Sequence, residues 1–437
     1  MQTFRHDWHR DDGRLVLAPF RGIRYAPQRV SGLAEVTSPP YDVVGPAAAA
    51  QLRDSDPHNV IRLTLPAADS AQSRYRIASC LLRQWMAEGV LVADDAPALY
   101  VYEERGPDAA TPKLQRGLIG AVGLSPPEAG IVLPHEDVTA DVVADRRKLM
   151  EATEANLEPI FLLYRGGGAA SQLVDAVAET GEPMIEAVAD GVTHRLWTVT
   201  DPASLAAVAA DLAHRHALIA DGHHRYAAYL DIQRRRRAGN LGRGPWDNGL
   251  ALLVDSVAYP PRIDPIHRVI PGLPLGAAVE LASAAFTVRA LPPGVALDAA
   301  LHELRAAGGG RDRVAFLLAD DASFHLLTEP DPGQLSAAAP AGRSERWRWL
   351  DSSVLHELLI KTIWGIDDEP PAVRMVHHDA AGAIAAARPR GTAIICKPPQ
   401  VAEVLAIAAG GEKLPHKSTS FGPKPRTGLV MRSFAYR

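Results

Sequence analysis

Residues 216–230 read HALIADGHHRYAAYL, and the fold and the site both turn on this stretch. A short apolar run gives way at the turn dipeptide Asp221–Gly222 to two histidines and an arginine, then to residues with helical spacing. A strand handing over to a helix accounts for that order. Asp221 is expected near the N-cap, and Gly222 lets backbone approach a ligand closely. Free N–H groups and the positive end of the helix dipole favour an anion there. With His223, His224 and Arg225 alongside, the expected anion is a phosphate, because a guanidinium grips two oxygens at once. The plainer alternative is a capped helix whose histidines face solvent or satisfy core hydrogen bonds.

A metal is the other competitor. His223 and His224 are vicinal, so on a helix they point in different directions and do not readily chelate one ion. A second stretch, VHHDA with His377, His378 and Asp379, invites a metal-dependent hydrolase reading but needs further histidines on neighbouring helices. No metal ligands are assigned.

Composition narrows the function classes. The chain has 437 residues, enough for two or three lobes, and 47% hydrophobic with 22% charged residues predicts a folded globular protein. The formal net charge of −5 argues against nucleic acid as the main partner, since backbone binding needs a concentrated basic face. Two distant cysteines, Cys80 and Cys396, rule out a disulfide framework and a zinc ribbon. The polar N-terminus lacks a signal-peptide core, and no apolar run spans a bilayer, so the expected setting is the cytoplasm, with no membrane partner. The sequence is silent on oligomeric state.

The expected layout has four parts: a flexible arm at 1–14; a main α+β region at 15–271; a small α/β lobe at 272–335; and an α/β region at 336–437. NVIRLTLP at 59–66, EPIFLLY at 158–164 and NGLALLVDSV at 248–257 are expected as strands. The segments at 70–91, 140–156 and 204–216 are expected as helices, and EPDPGQLSAAAPAGRS at 329–344 as a linker. The class is therefore α+β, with mixed sheets and flanking helices.

Three further constellations carry chemistry-bearing residues. In LPHEDVTADVVADRRKLM, His135 and Glu136 precede a charged helix; Glu136 is a possible general base, and Asp145 with Arg146 could position a partner. The tail PHKSTSFGPKPRTGL offers Lys417, Ser418, Thr419, Lys424, Arg426 and Thr427 for a phosphorylated ligand, without Walker A spacing, and is anchored by the apolar GLVMRSF. SPPYDVV puts Tyr41 and Asp42 on a rigid turn, and IDPIHRVI supplies His267 and Arg268; Tyr41, His267 and Arg268, with His135, are candidates for a substrate pocket.

The ordered series SPPYDV, NVIRL, PHEDVTADVVADR, EPIFLLY, IADGHHRYAA, IHRV and HKSTSFGPKPRTGLV resembles a large bacterial family known mainly as a domain of unknown function, family ten-fifteen. The resemblance runs from about residue 15 to the C-terminus. Locally, DGHHR is similar to the phosphate-binding motif of the ParB/sulfiredoxin superfamily, which includes free-serine kinases, partition proteins and sulfiredoxins. That likeness implies a ParB/sulfiredoxin-like element at the turn, with Asp221, Gly222, His223, His224 and Arg225 on a nucleotide phosphate. The sulfiredoxin activity needs a cysteine in the motif, where this chain has His223 and His224. The kinase branch implies ATP or ADP with Mg2+, and a carboxylate to deprotonate a hydroxylated acceptor: Glu136 first, Asp42 second. His223 joins them as a proton partner. The resulting expectation is a phosphotransferase acting on a small metabolite, L-serine foremost. The rivals are a non-catalytic nucleotide-binding or regulatory protein and a metal-dependent hydrolase.

Overall fold

The run IFLLY at Ile160–Tyr164 places five apolar or aromatic side chains in succession, and all five are buried. A strand covered on both faces calls for such an unbroken run, whereas a half-solvated strand alternates. The computed structural model of the chain describes residues 13–68, 70–107, 114–308, 314–367, 371–415 and 417–436. Most of the expected N-terminal arm, residues 1–12, and His416 in the tail lie outside the described residues.

The chain divides into two compact units: Met1–Pro134, Val138–Pro261 and Pro423–Arg437 form the first, His135–Asp137 and Arg262–Gly422 the second. The first unit is built on a nine-stranded sheet. From one edge its order begins Val132–Leu133, Ala217–Asp221, Ile160–Tyr164, Asn248–Asp255 and Leu114–Gly123. It continues through Leu99–Arg105 and Val192–Val199 to Ile185–Ala189, with Leu17–Ala18 alongside Leu114–Gly123. Ala217–Asp221 runs antiparallel to Ile160–Tyr164, while Asn248–Asp255 runs parallel to it, so the sheet is mixed. Helices Ala140–Thr153 and His223–Ala238 belong to the same unit.

A second sheet of the first unit joins Leu91–Ala93, Gly22–Tyr25, Met431–Ser433 and Ala155–Asn156. Its core gathers Ile23, Tyr25, Trp85, Leu149 and Met431. The apolar tail GLVMRSF thus returns as a strand between two others.

One expected strand is a helix. In NVIRLTLP, Ile61–Thr64 is helical, with Ile61, Leu63 and Thr64 all buried. The Asn59 side chain accepts the Ile61 N–H at 2.9 Å and donates to the carbonyl of Glu35 at 2.6 Å. A run this short satisfies either periodicity, and a local side-chain acceptor tips it toward a helical turn.

The second unit carries a six-stranded sheet in the order Thr287–Ala290, Phe324–Thr328, Ala315–Ala319, Thr392–Cys396, Ile266–Ile270 and Arg374–His377, paired antiparallel throughout. Along Ala315–Ala319, Phe316 and Leu318 join one core, and Ala315, Leu317 and Ala319 the other, so both faces are covered. The stretch expected as a linker contains a helix, Pro332–Ala338, because Asp331 accepts the Gln334 N–H at its N-cap and Pro332 stands at its first turn. Mixed and antiparallel sheets with flanking helices make the class α+β.

Leu162 is fully buried in the third strand of the large sheet. Leu162→Ala is expected to lower the unfolding free energy of the first unit by about 2–5 kcal/mol. Urea titration followed by tryptophan fluorescence reads this; a loss below about 1 kcal/mol would contradict the packing.

Candidate functional site

Ala217–Asp221 is a fully buried strand, and helix His223–Ala238 starts two residues after its end. The pairing with Ile160–Tyr164 shifts register between Ile219 and Asp221. Such an irregularity kinks a strand and re-aims its last side chain. Gly222 is the N-cap, with φ +95. A Cβ at Gly222 would lie 2.8 Å from Cγ2 of Ile160, so both the backbone angle and the space require glycine. Asp221, expected near the N-cap, is the last strand residue and directly precedes that N-cap, and its carboxylate is taken up by cations. Arg225 donates to it at 2.5 Å, one helical turn on, and Lys424 Nζ lies 2.5 Å from its other oxygen. Gly222 offers no side chain, so the first-turn N–H groups must find acceptors elsewhere.

Lys424 also donates to Asp42 at 2.6 Å, which places one ammonium between two carboxylates. Burial pushes the Asp42 carboxyl up, but Lys424 and Arg225 outweigh it and hold Asp42 below the usual carboxylate range. Burial pulls Lys424 down, and Asp221 with Asp42 more than reverses this. Arg225 donates to the Pro159 carbonyl at 2.6 Å, and its buried Nε has no hydrogen-bond partner among the described residues. Burial opposes its charge too, yet Asp221, Glu158 and Asp42 raise its pKa.

Tyr41 lies under two guanidinium groups, Arg146 at 4.2 Å and Arg225 at 5.9 Å from the ring centre. Burial pushes its hydroxyl up to about 12, with the two arginines offsetting part of that. Glu158, which the sequence reading passed over, is buried here and accepts from the Tyr41 N–H at 2.9 Å and the Thr427 hydroxyl at 3.1 Å. Burial raises its pKa, and Arg225 recovers only part of the shift. A carboxylate directly before a proline and an all-apolar strand was the signal available for it.

Two arginines and His224 serve the framework. Arg426 is turned inward, donating to Thr37 Oγ1 at 2.6 Å, to the carbonyls of Ala34 and Thr37, and to Asp190 at 3.0 Å. Arg146 donates to the Thr64 carbonyl at 2.9 Å and pairs with Asp145. His224 Nε2 accepts the N–H of Thr139, the N-cap of helix Ala140–Thr153, at 3.0 Å, which fixes the neutral acceptor form at that nitrogen. His223 is buried in the first turn.

The remaining candidates sit in the second unit. Thr419 Oγ1 donates to Glu136 at 3.0 Å and lies 2.8 Å from Nε2 of the fully buried His135. Ser418 donates to the Pro415 carbonyl at 2.5 Å, and Arg268 donates to the carbonyls of Lys417 and Ile266, both at 3.1 Å. Lys417 takes φ +54. His267 Nδ1 accepts the Cys396 N–H at 3.2 Å, and burial lowers its pKa to about 4. In VHHDA, Asp379 caps helix Ala380–Ala386 by accepting the Gly382 N–H at 2.8 Å. Among the described residues no group of three or more His, Cys, Asp or Glu is disposed to hold a metal.

The family described as "Protein of unknown function (DUF1015)" matches residues 17–353. The chain belongs to that family. No curated protein matches the chain. Among solved structures it is similar to a mutant free serine kinase in complex with ADP, at 16% identity over 68% of this chain and 89% of that one, TM-score 0.34. It is also similar to a conserved hypothetical protein from Pyrococcus furiosus, at 15% identity over 68% and 90%, TM-score 0.32. A third is SbnI with a C-terminal truncation from Staphylococcus aureus, at 10% over 71% and 85%, TM-score 0.34. No described helix of this DUF1015 chain is long and apolar enough to cross a membrane.

The depressed Asp42 carboxyl makes the cluster sensitive to acid. Its contribution to stability is present above the unfolded-state value, roughly pH 3.9, and is lost as pH falls through the lower folded value. Asp42→Asn is therefore expected to flatten the stability–pH profile between about pH 4 and pH 2. Thermal melts across that range check it, and parallel profiles for the two proteins would contradict it.

Proposed function

We propose that the first unit's strand-to-helix switch seats the phosphates of a nucleotide, and that the protein transfers a phosphoryl group to a small hydroxylated metabolite, with L-serine the first acceptor to test. One observation carries this reading: Gly222 at φ +95 opens a sixteen-residue helix at the point where Lys424 and Arg225 are gathered. Backbone N–H groups and two cations at one helix start are what a phosphate needs. The resemblance of Asp221–Arg225 to a phosphate-binding motif supports it.

Both cations already hold carboxylates, so a phosphate would bind by exchange. Its oxygens take over Lys424 and the unpartnered Nε of Arg225, and Asp42 is released from its ion pair while staying ionised. In the transfer, the acceptor hydroxyl oxygen bonds to the terminal phosphorus, its proton passes to a carboxylate, and the bond to the departing nucleotide breaks. Asp42 in the cluster and Glu136, the sequence's first candidate for the base, are the two carboxylates to separate by substitution. Mg2+ would arrive with the nucleotide: Asp42 and Asp221 are the cluster's hard oxygen donors, Lys424 lies between them, and the ion would neutralise phosphate charge.

Titration calorimetry with ATP and ADP should show binding that Lys424→Met weakens at least about tenfold. With L-serine added, phosphorus NMR should show a phosphate monoester. Replacing the true base, by Asp42→Asn or Glu136→Gln, should cut kcat about 10²-fold or more while nucleotide affinity holds. Binding without turnover of any hydroxylated acceptor would leave a nucleotide-binding protein and end the kinase reading.

A further inference from the structure

The first unit buries five arginines among its described residues: Arg116, Arg146, Arg225, Arg426 and Arg432. Four have a carboxylate partner: Glu103, Asp145, Asp221 and Asp190 respectively. Arg432 is the exception. It is 4% exposed, and its guanidinium donates to Asn156 Oδ1 at 3.1 Å, the Asn248 carbonyl at 3.0 Å and the Pro245 carbonyl at 2.7 Å. All three acceptors are neutral. A buried cation without an opposite charge is costly, and burial duly pulls the Arg432 pKa down to about 10.

The space beside it resolves this. A cavity of about 340 Å3 has Arg432 in its wall, together with Pro19, Phe20, Pro97, Ala121 and Asn248. That volume is at the lower end of small-molecule pockets. Arg432 is the buried charge of this wall among the described residues, the exposed Arg243 is a second cation in the lining, and most of the remaining wall is apolar. A phosphate would need several more donors. A carboxylate needs one planar fork, and the apolar wall takes the rest of the ligand.

We propose that this cavity binds a small organic monocarboxylate, its carboxylate on Arg432 and its apolar body against Pro19, Phe20 and Pro97. The ligand supplies the missing counter-charge, so occupancy stabilises the first unit and its closing strand Met431–Ser433. The site is separate from the strand-to-helix cluster and does not depend on the nucleotide reading.

The full-length protein is titrated calorimetrically and by thermal shift with acetate, butyrate and benzoate, with butyramide and benzamide as uncharged partners, and with inorganic phosphate. The expected result is saturable binding of butyrate or benzoate with Kd about 1 mM or tighter, and at least tenfold weaker binding of the matching amide. Arg432→Lys should weaken the carboxylate at least about tenfold. Because that change also touches the carbonyls Arg432 clamps, Ala121→Leu provides an independent check by filling the cavity; it should abolish carboxylate binding and leave ATP binding unchanged. No saturable carboxylate binding, equal binding of the amides, equal binding of phosphate, or carboxylate binding intact in a folded Ala121→Leu protein would each overturn the proposal.

Discussion

Lys424 stands between Asp42 and Asp221, at 2.6 and 2.5 Å, and this one half-buried ammonium ties together three segments of the first unit that lie far apart in sequence. Burial opposes the charge of this half-buried ammonium, and the two carboxylates more than offset that cost. The loop of Asp42, the strand end of Asp221 and the tail of Lys424 must therefore arrive together. Neighbouring contacts reinforce the arrangement: Ser38 and Thr427 exchange backbone hydrogen bonds at 3.2 and 2.9 Å, and Arg426 locks onto residues 34–37. The charges set the shape of the site before any ligand arrives.

Within that frame two carboxyls, the exposed Asp42 and the buried Glu158, have opposite tendencies. Asp42 is held ionised by its cations, whereas Glu158, bonded to the Tyr41 N–H and the Thr427 hydroxyl, is pushed toward its neutral form by burial. For Asp42, stability is lost as pH falls. For Glu158, burying the charged form costs stability as pH rises past the usual carboxyl range. Asp42 thus suits exchange with an anion, and Glu158 suits holding the backbone of Tyr41 and the tail in register.

Much of the first unit was legible because its signals are local. A five-residue apolar run reads as a doubly covered strand, and Asp-Gly before a helical spacing reads as a strand-to-helix switch. Where a signal was short, competing local chemistry decided: Asn59 turned NVIRLTLP into a helix, and Asp331 with Pro332 drew a helix out of an expected linker. Arg225 and Lys424 could be named as cations near a phosphate, but the carboxylate partners of Lys424 could not, because its contact with Asp42 spans 382 residues. Arg426 shows the converse: a basic residue in a glycine- and proline-rich tail looked available to a ligand, yet its donors meet Thr37, Ala34 and Asp190.

By itself the sequence determined the class of fold, the switch at Asp221–Gly222 and the residue types from which an anion site could be built. These follow from periodicity, from glycine's access to positive φ and from the directionality of a helix end, all of which act over a few residues. Tertiary structure alone decided which charges meet: Lys424 between Asp42 and Asp221, Glu158 beneath Tyr41, Arg432 without a carboxylate beside a cavity. Electrostatic partnership depends on distance and burial, and neither is set until strands remote in sequence lie side by side.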